Sequence, residues 1–158
     1  MASPHEMELL ARQINQAHRM AVQAEIAAAG LSEVGHPMLL TILQSSSGAE
    51  GEGQFSAQRD LAELLHISPA AVANSLKSLE KGGYIRRKPS QGDARRNLVT
   101  LTEKGAAAVK ECDRVFERVS TRMLEGFSEE EQGQLVAFRR RMLDNLTKQN
   151  HSSCEQEG

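Results

Sequence analysis

Apolar positions recur at helical spacing along most of the chain and change rhythm once, near the middle. Met7, Leu10, Ile14, Ala17, Ala21, Ala24 and Ala28 follow a seven-residue repeat, which makes one apolar stripe on a first helix. Ser3-Pro4-His5-Glu6 reads as its capped start and Gly30 as its end. A second helix is expected to begin at Val34-Gly35-His36-Pro37 and to end near Ser45, with Met38, Leu39, Leu40, Ile42 and Leu43 mostly buried. Residues 46–53, SSGAEGEG, have the composition of a flexible loop. Gln54-Phe55 could add a short strand.

Two short helical patterns follow. Leu61, Ala62, Leu64 and Leu65 give a compact face that stops at His66. Ser68-Pro69 is an N-cap followed by proline at the first helical position, and the next helix runs to Lys81 before Gly82-Gly83. Its buried positions should be Val72, Leu76 and Leu79, with Ile67 locking the two helices together. The rhythm then switches to strands. Tyr84-Ile85-Arg86-Arg87-Lys88 and Leu98-Val99-Thr100-Leu101 flank the turn residues Pro89-Ser90-Gln91-Gly92-Asp93. Helices resume at Thr102, which should cap a long helix to about Phe127 with Ala108, Cys112, Val115, Val119 and Met123 along its stripe. Ser128-Glu129-Glu130-Glu131 is a capping box for a last helix whose apolar face is Leu135, Phe138, Met142 and Leu146.

The predicted fold is mainly α with a small β wing. A winged helix-turn-helix over 31–102 sits on a helical dimerisation frame made of 1–30 and 103–148, and the tail 149–158, without apolar pattern, is expected to be disordered. The frame helices carry more apolar surface than one small lobe can cover. Exchanging them about a two-fold axis would bury the stripes in a homodimer and set two reading helices roughly 34 Å apart, one turn of duplex DNA.

The order helix, turn, helix, basic hairpin is a device for holding double-stranded DNA. Ser68 and Ala70 at the start of the reading helix allow close approach to a groove, and Asn74 can pair bidentately with adenine. Lys77 and Lys81, and alternate members of the basic strand, Arg86 and Lys88, suit phosphate oxygens. The hairpin tip offers Asp93-Ala94-Arg95-Arg96: Arg95 can enter a minor groove, Asp93 can orient it, and Arg96 should point to the other face. The bland alternatives are a solvated helix face, a solvated hairpin arginine and an edge strand guarded by charge.

Charge changes this picture by where it lies. The 158 residues carry a net charge of −2, yet residues 55–104 hold nine Lys/Arg against five Asp/Glu. A basic module on an acidic frame suits one DNA face. Hydrophobic residues at 39% allow a core, and aromatics at 3% leave its packing to Leu, Ala, Val and Met. Cys112 and Cys154 make no disulfide framework. With no signal peptide and no long apolar run, the expected location is cytoplasmic, away from membranes. Histidines at 5, 18, 36, 66 and 151 form no ligand pair, so neither metal nor cofactor is expected. No nucleophile elbow, phosphate loop or carboxylate–histidine cluster points to an enzyme. A winged helix used only for protein contacts is the remaining class; the intact Asp93-x-Arg95 pair speaks against it.

Leu61-Ala62, the run Leu79 to Ile85, Gly92-Asp93-Ala94-Arg95 and the run Leu98 to Gly105 resemble the MarR family of bacterial transcription regulators. The D-x-R tip followed by L-T-x-x-G is the most specific part. The resemblance covers nearly the whole chain. It implies a triangular homodimer on a near-palindromic operator, usually repressing, with the reading helix at residues 68–81 and the wing arginine at Arg95. The family often binds small ligands where the first two helices meet the wing lobe. His18, Arg19 and His36 are candidates there for an anionic, phenolic-type effector. Relatives that sense oxidants carry their cysteine in the first helix, and this chain has none there. Cys112 on an apolar stripe reads as a buried inert thiol, and Cys154 in the tail has no evident activating neighbour.

Overall fold

A computed structural model describes residues 1–46, 58–90 and 93–152. The elements run α1 (Pro4–Ala28), α2 (Pro37–Ser46), α3 (Gln58–Leu65), α4 (Pro69–Lys81), β1 (Ile85–Ser90), β2 (Asp93–Leu101), α5 (Glu103–Met123) and α6 (Glu129–Ser152). They form two compact units, Met1–Val119 and Ser120–Gly158. The expected strand at Gln54-Phe55 and the thiol of Cys154 lie outside the described residues.

The first unit has two apolar clusters. The larger gathers Leu39, Leu40 and Leu43 of α2, Leu61 and Ala62 of α3, Val72, Leu76 and Leu79 of α4, then Tyr84, Ile85 and Val99 of the hairpin. Ala108 and Val109 of α5 close it. Burying each of its leucines stabilises the lobe by about 2 kcal/mol. The smaller cluster joins Val22 and Ile26 of α1 to Cys112, Val115 and Val119 of α5. Successive turns of α5 therefore serve different cores. Glu25 and Arg118 bridge the same helices at 2.9 Å.

Helix ends follow the expected chemistry in most places. Two helices stop in the same way. The amides of Tyr84 and Gly83 return to the carbonyls of Leu79 and Glu80, and those of Leu31 and Gly30 return to Ile26 and Ala27. Gly83 and Gly30 take the left-handed φ of 79° and 74° that this stop requires. In the second unit, Ser128 and Glu131 make the reciprocal capping box: Ser128 N donates to Glu131 Oε2 at 2.8 Å, and Glu131 N donates to Ser128 Oγ at 3.2 Å.

Several expectations are corrected. Ser3 is the N-cap of α1 by position, but its side chain accepts no capping bond. On α1 the buried residues, Val22 and Ile26, lie beside the expected stripe, of which Ala21 packs against the same cluster. Val22 and Ile26 face α5, whereas Met7, Leu10 and Ile14 are exposed. A repeat shows which residues share a face; it does not show that only the last turns meet a partner. Met38 and Leu64 are exposed for the same reason, each at the edge of its apolar face. Val34 is buried ahead of α2, which starts three residues later, at Pro37. The helix from Thr102 ends at Met123, and Gly126 at φ 84° makes the turn. α6 runs past the expected boundary at residue 149, to Ser152.

Candidate nucleic-acid interface

The helix-turn-helix is built by the turn between α3 and α4. His66 sits at φ 52°, a left-handed value uncommon for a residue with a Cβ. There the amide of Ile67 reaches the carbonyl of Ala62 at 3.1 Å. Ile67 then packs, half-buried, against the large core. Ser68 Oγ accepts from Ala71 N at 3.1 Å, and Pro69 fills the first helical position. Removing that cap costs about 1 kcal/mol.

With Val72, Leu76 and Leu79 buried, the opposite side of α4 is fixed. Ala70, Asn74, Lys77 and Lys81 stand at spacings of four, three and four residues, along one line, and all are exposed. Ser68 is exposed as well, but its hydroxyl is engaged by the cap.

The wing alternates as a half-buried hairpin should. Ile85 is buried, Arg86 and Lys88 are exposed, and Arg87 turns back so that its Nε meets Glu80 Oε2 at 3.0 Å. β1 and β2 are antiparallel with Ile85 opposite Leu101 and Lys88 opposite Leu98. The strand register then slips: Pro89 faces Asn97 while Ser90 faces Asp93. Ala94, Arg95 and Arg96 fall between those two pairings, so they bulge from the ladder. Asp93, Arg95 and Arg96 thus belong to β2 rather than to a turn before it. Their side chains, and the pairing expected between Asp93 and Arg95, lie outside the described residues.

One arrangement was not anticipated in the sequence. The start of α5 clamps the end of α4. Lys104 Nζ donates to Gly82 O at 2.7 Å and stands 4.4 Å from the ring centre of Tyr84. Thr102 Oγ1 donates to Gly83 O at 2.5 Å and accepts from Gly105 N at 3.1 Å. Thr102 N donates to Tyr84 O at 3.1 Å. Gly105 lies so close that a Cβ there would come within 2.0 Å of Tyr84 O. The glycine pair ending α4 was the available signal, since it leaves carbonyls that something must satisfy. Beside this joint, a groove of about 950 Å³ is lined by Glu80, Arg86, Arg87, Lys88, Thr102 and Lys104, among others.

The effector candidates are less concentrated. His18 is half-buried on α1, His36 is exposed just before α2, and Arg19 is hydrogen-bonded to Gln16 on its own helix. The groove beside the joint is not lined by any of them. Cys112 is fully buried, and burial, with Asp113 and Glu111 nearby, pushes its thiol up to about 11. Among the described residues, no cluster of His, Cys, Asp and Glu could hold a metal ion, and no helix is long and apolar enough to cross a membrane.

Residues 47–96 match the model of the MarR family. An uncharacterised HTH-type transcriptional regulator, YwaE of Bacillus subtilis, is 34% identical over 88 residues, covering 56% of this chain and 52% of that protein. A riboflavin kinase of Pyrococcus furiosus is 33% identical over 88 residues, covering 56% of this chain and 38% of the kinase. The chain spans about half the length of the curated HTH-type regulators it matches. Among solved structures, a mutant MarR from E. coli complexed with operator DNA superposes with a TM-score of 0.73 at 18% identity, covering 87% of this chain and 93% of that one. At that identity the likeness establishes the fold, a winged helix.

Proposed function

We propose that the chain is a cytoplasmic, DNA-binding transcription regulator of the MarR family, whose model matches residues 47–96. It acts as a homodimer on a near-palindromic operator, represses by blocking polymerase access, and is released by a small effector. The observation that carries this reading is the exposed line Ala70, Asn74, Lys77 and Lys81 on α4, with Arg86 and Lys88 exposed on β1. These six exposed side chains, four of them cations, are groups that duplex DNA complements.

In this mechanism α4 enters the major groove with its N-terminal turns at the base edges. Ser68 and Ala70 permit the close approach, and Asn74 reads a base. Lys77, Lys81, Arg86 and Lys88 hold phosphates and fix the register. Arg95 on the wing enters the adjacent minor groove, oriented by Asp93, with Arg96 beside it. Dimerisation is supported by exposed apolar side chains on the frame helices: Met7, Leu10 and Ile14 on α1, and Met142 and Leu146 on α6. A second copy would remove them from water. Release is a population shift. An anionic, phenolic-type molecule near His18, Arg19 and His36 would favour a spacing of the two reading helices that no longer matches the half-sites.

The test is binding of the purified protein to its own upstream intergenic DNA, against a scrambled duplex, across a salt series. The expected result is selective binding by a dimer, with log affinity falling against log salt by about 0.9 per phosphate contact. Equal, weak binding to both duplexes would remove the operator from the mechanism.

A further inference from the structure

Resting on that DNA-binding reading, we infer that the half-site read by α4 has an A·T core, with Asn74 on an adenine and Ala70 against the methyl group of a neighbouring thymine. The argument goes base by base. Residues near the N-terminus of a reading helix reach base edges. On α4 the outward residues there are Pro69, Ala70 and Asn74, with Ala71, Ala73 and Ser75 half-buried at the flanks.

Guanine is most often read by an arginine or lysine reaching O6 and N7 together. α4 contains no arginine. Its first lysine, Lys77, follows Ala70 by seven residues, which places it about 10 Å further along the helix axis. Cytosine is read by a carboxylate accepting from its amino group. The one acid of α4 is Glu80, which is held by Arg87 at 3.0 Å on the side facing the wing. The Ser68 hydroxyl could have served several bases, but it is committed to the amide of Ala71. Ser75 is half-buried and Ser78 lies beyond Lys77, so the exposed groups of the first turns are a primary amide, which matches the N6/N7 edge of adenine, and a bare methyl, which packs on the C5-methyl of thymine. Both are exposed on the same line of the helix, four residues or about 6 Å apart, so they address neighbouring positions of one groove.

The experiment is selection from a randomised duplex library with the full-length protein, followed by base analogues in the selected site. A·T pairs should dominate the core of each half-site. Replacing one core adenine by 7-deaza-adenine should weaken binding roughly five- to 150-fold, the range for losing one bidentate pair. Asn74→Ala should bind as weakly and should no longer distinguish the two adenines. Uracil in place of the core thymine should cost less, and Ala70→Gly should erase that difference. Lys77→Ala is the control: it should weaken all duplexes alike and lower the salt slope by about 1. A selected core of G·C pairs, or an Asn74→Ala protein that still discriminates 7-deaza-adenine, would overturn the assignment while leaving sequence-specific binding intact. A library that emerges unenriched would overturn the inference and the DNA-binding reading together.

Discussion

Two exposed surfaces of this molecule are chemically opposite. The outward line of α4 shows water one methyl, one amide and two ammonium groups, on a helix whose other side is fully packed. The outward side of α1 shows water Met7, Leu10, Ile14 and Met20, on a helix that buries only Val22 and Ile26. α6, in the second unit, resembles α1: Val136, Phe138, Met142, Leu143 and Leu146 are all about half exposed or more. Exposed polar residues are stable as they stand, whereas a run of exposed large apolar residues marks a surface intended for a partner. The helix-turn-helix lobe has its core within one chain, whereas α1 and α6 keep large apolar side chains in water.

The comparison can be broken most severely inside the lobe. Gly105→Ala drives a methyl into the carbonyl of Tyr84, 2.0 Å away, with backbone rather than a movable side chain in its path. A loss of about 3 kcal/mol is expected in urea denaturation, from overpacking at a site that cannot give. Ile14→Asp tests the other surface. It should leave the lobe folded by circular dichroism and weaken self-association at least tenfold by sedimentation. A variant that stays as tightly associated as the parent would show that α1 is not the surface a second copy covers.

Smaller changes sharpen the contrast. Ser68→Ala removes the cap of α4 and should cost about 1 kcal/mol of unfolding free energy. The Cys112 thiol gives a pH signature. Its value of about 11 in the folded chain lies above the ordinary 9.0, so the folded state keeps its proton where the unfolded state loses it. Stability from this group is present below pH 9 and declines as pH rises from 9 towards 11. Cys112→Ser should flatten that part of the profile. Leu64→Gln, at an exposed edge position, should change stability by no more than about 0.5 kcal/mol.

The sequence made α4 legible because every level agreed there: Ser68 and Pro69 started it, Val72, Leu76 and Leu79 gave its period, and Gly82-Gly83 stopped it. α1 was harder. Its alanines fit a seven-residue repeat well, but burial depends on what lies opposite, and only the turns around Val22 and Ile26 meet α5. The wing was legible as a basic hairpin, while its register slip at Pro89 and Ser90 was not. A bulge depends on which backbone groups pair across strands, and side-chain alternation in one strand does not record that. The contacts of Lys104 were hidden for a related reason. Its hydrogen bond runs from a side chain to a carbonyl twenty-two residues earlier, and the glycine pair marks an open carbonyl without naming the donor that fills it.

Those contacts limit how this protein could be recombined. Gly82, Gly83 and Tyr84 supply acceptors and a ring; Thr102, Lys104 and Gly105 supply donors and empty space. A chimera with its crossover between Tyr84 and Gly105 would join the halves of two different clasps. One with its crossover after Ala106 would carry the clasp intact and alter only the helix behind it. The natural seam for exchanging the helix-turn-helix and wing between such chains therefore lies one turn inside α5, rather than at the strand–helix boundary where the eye would cut.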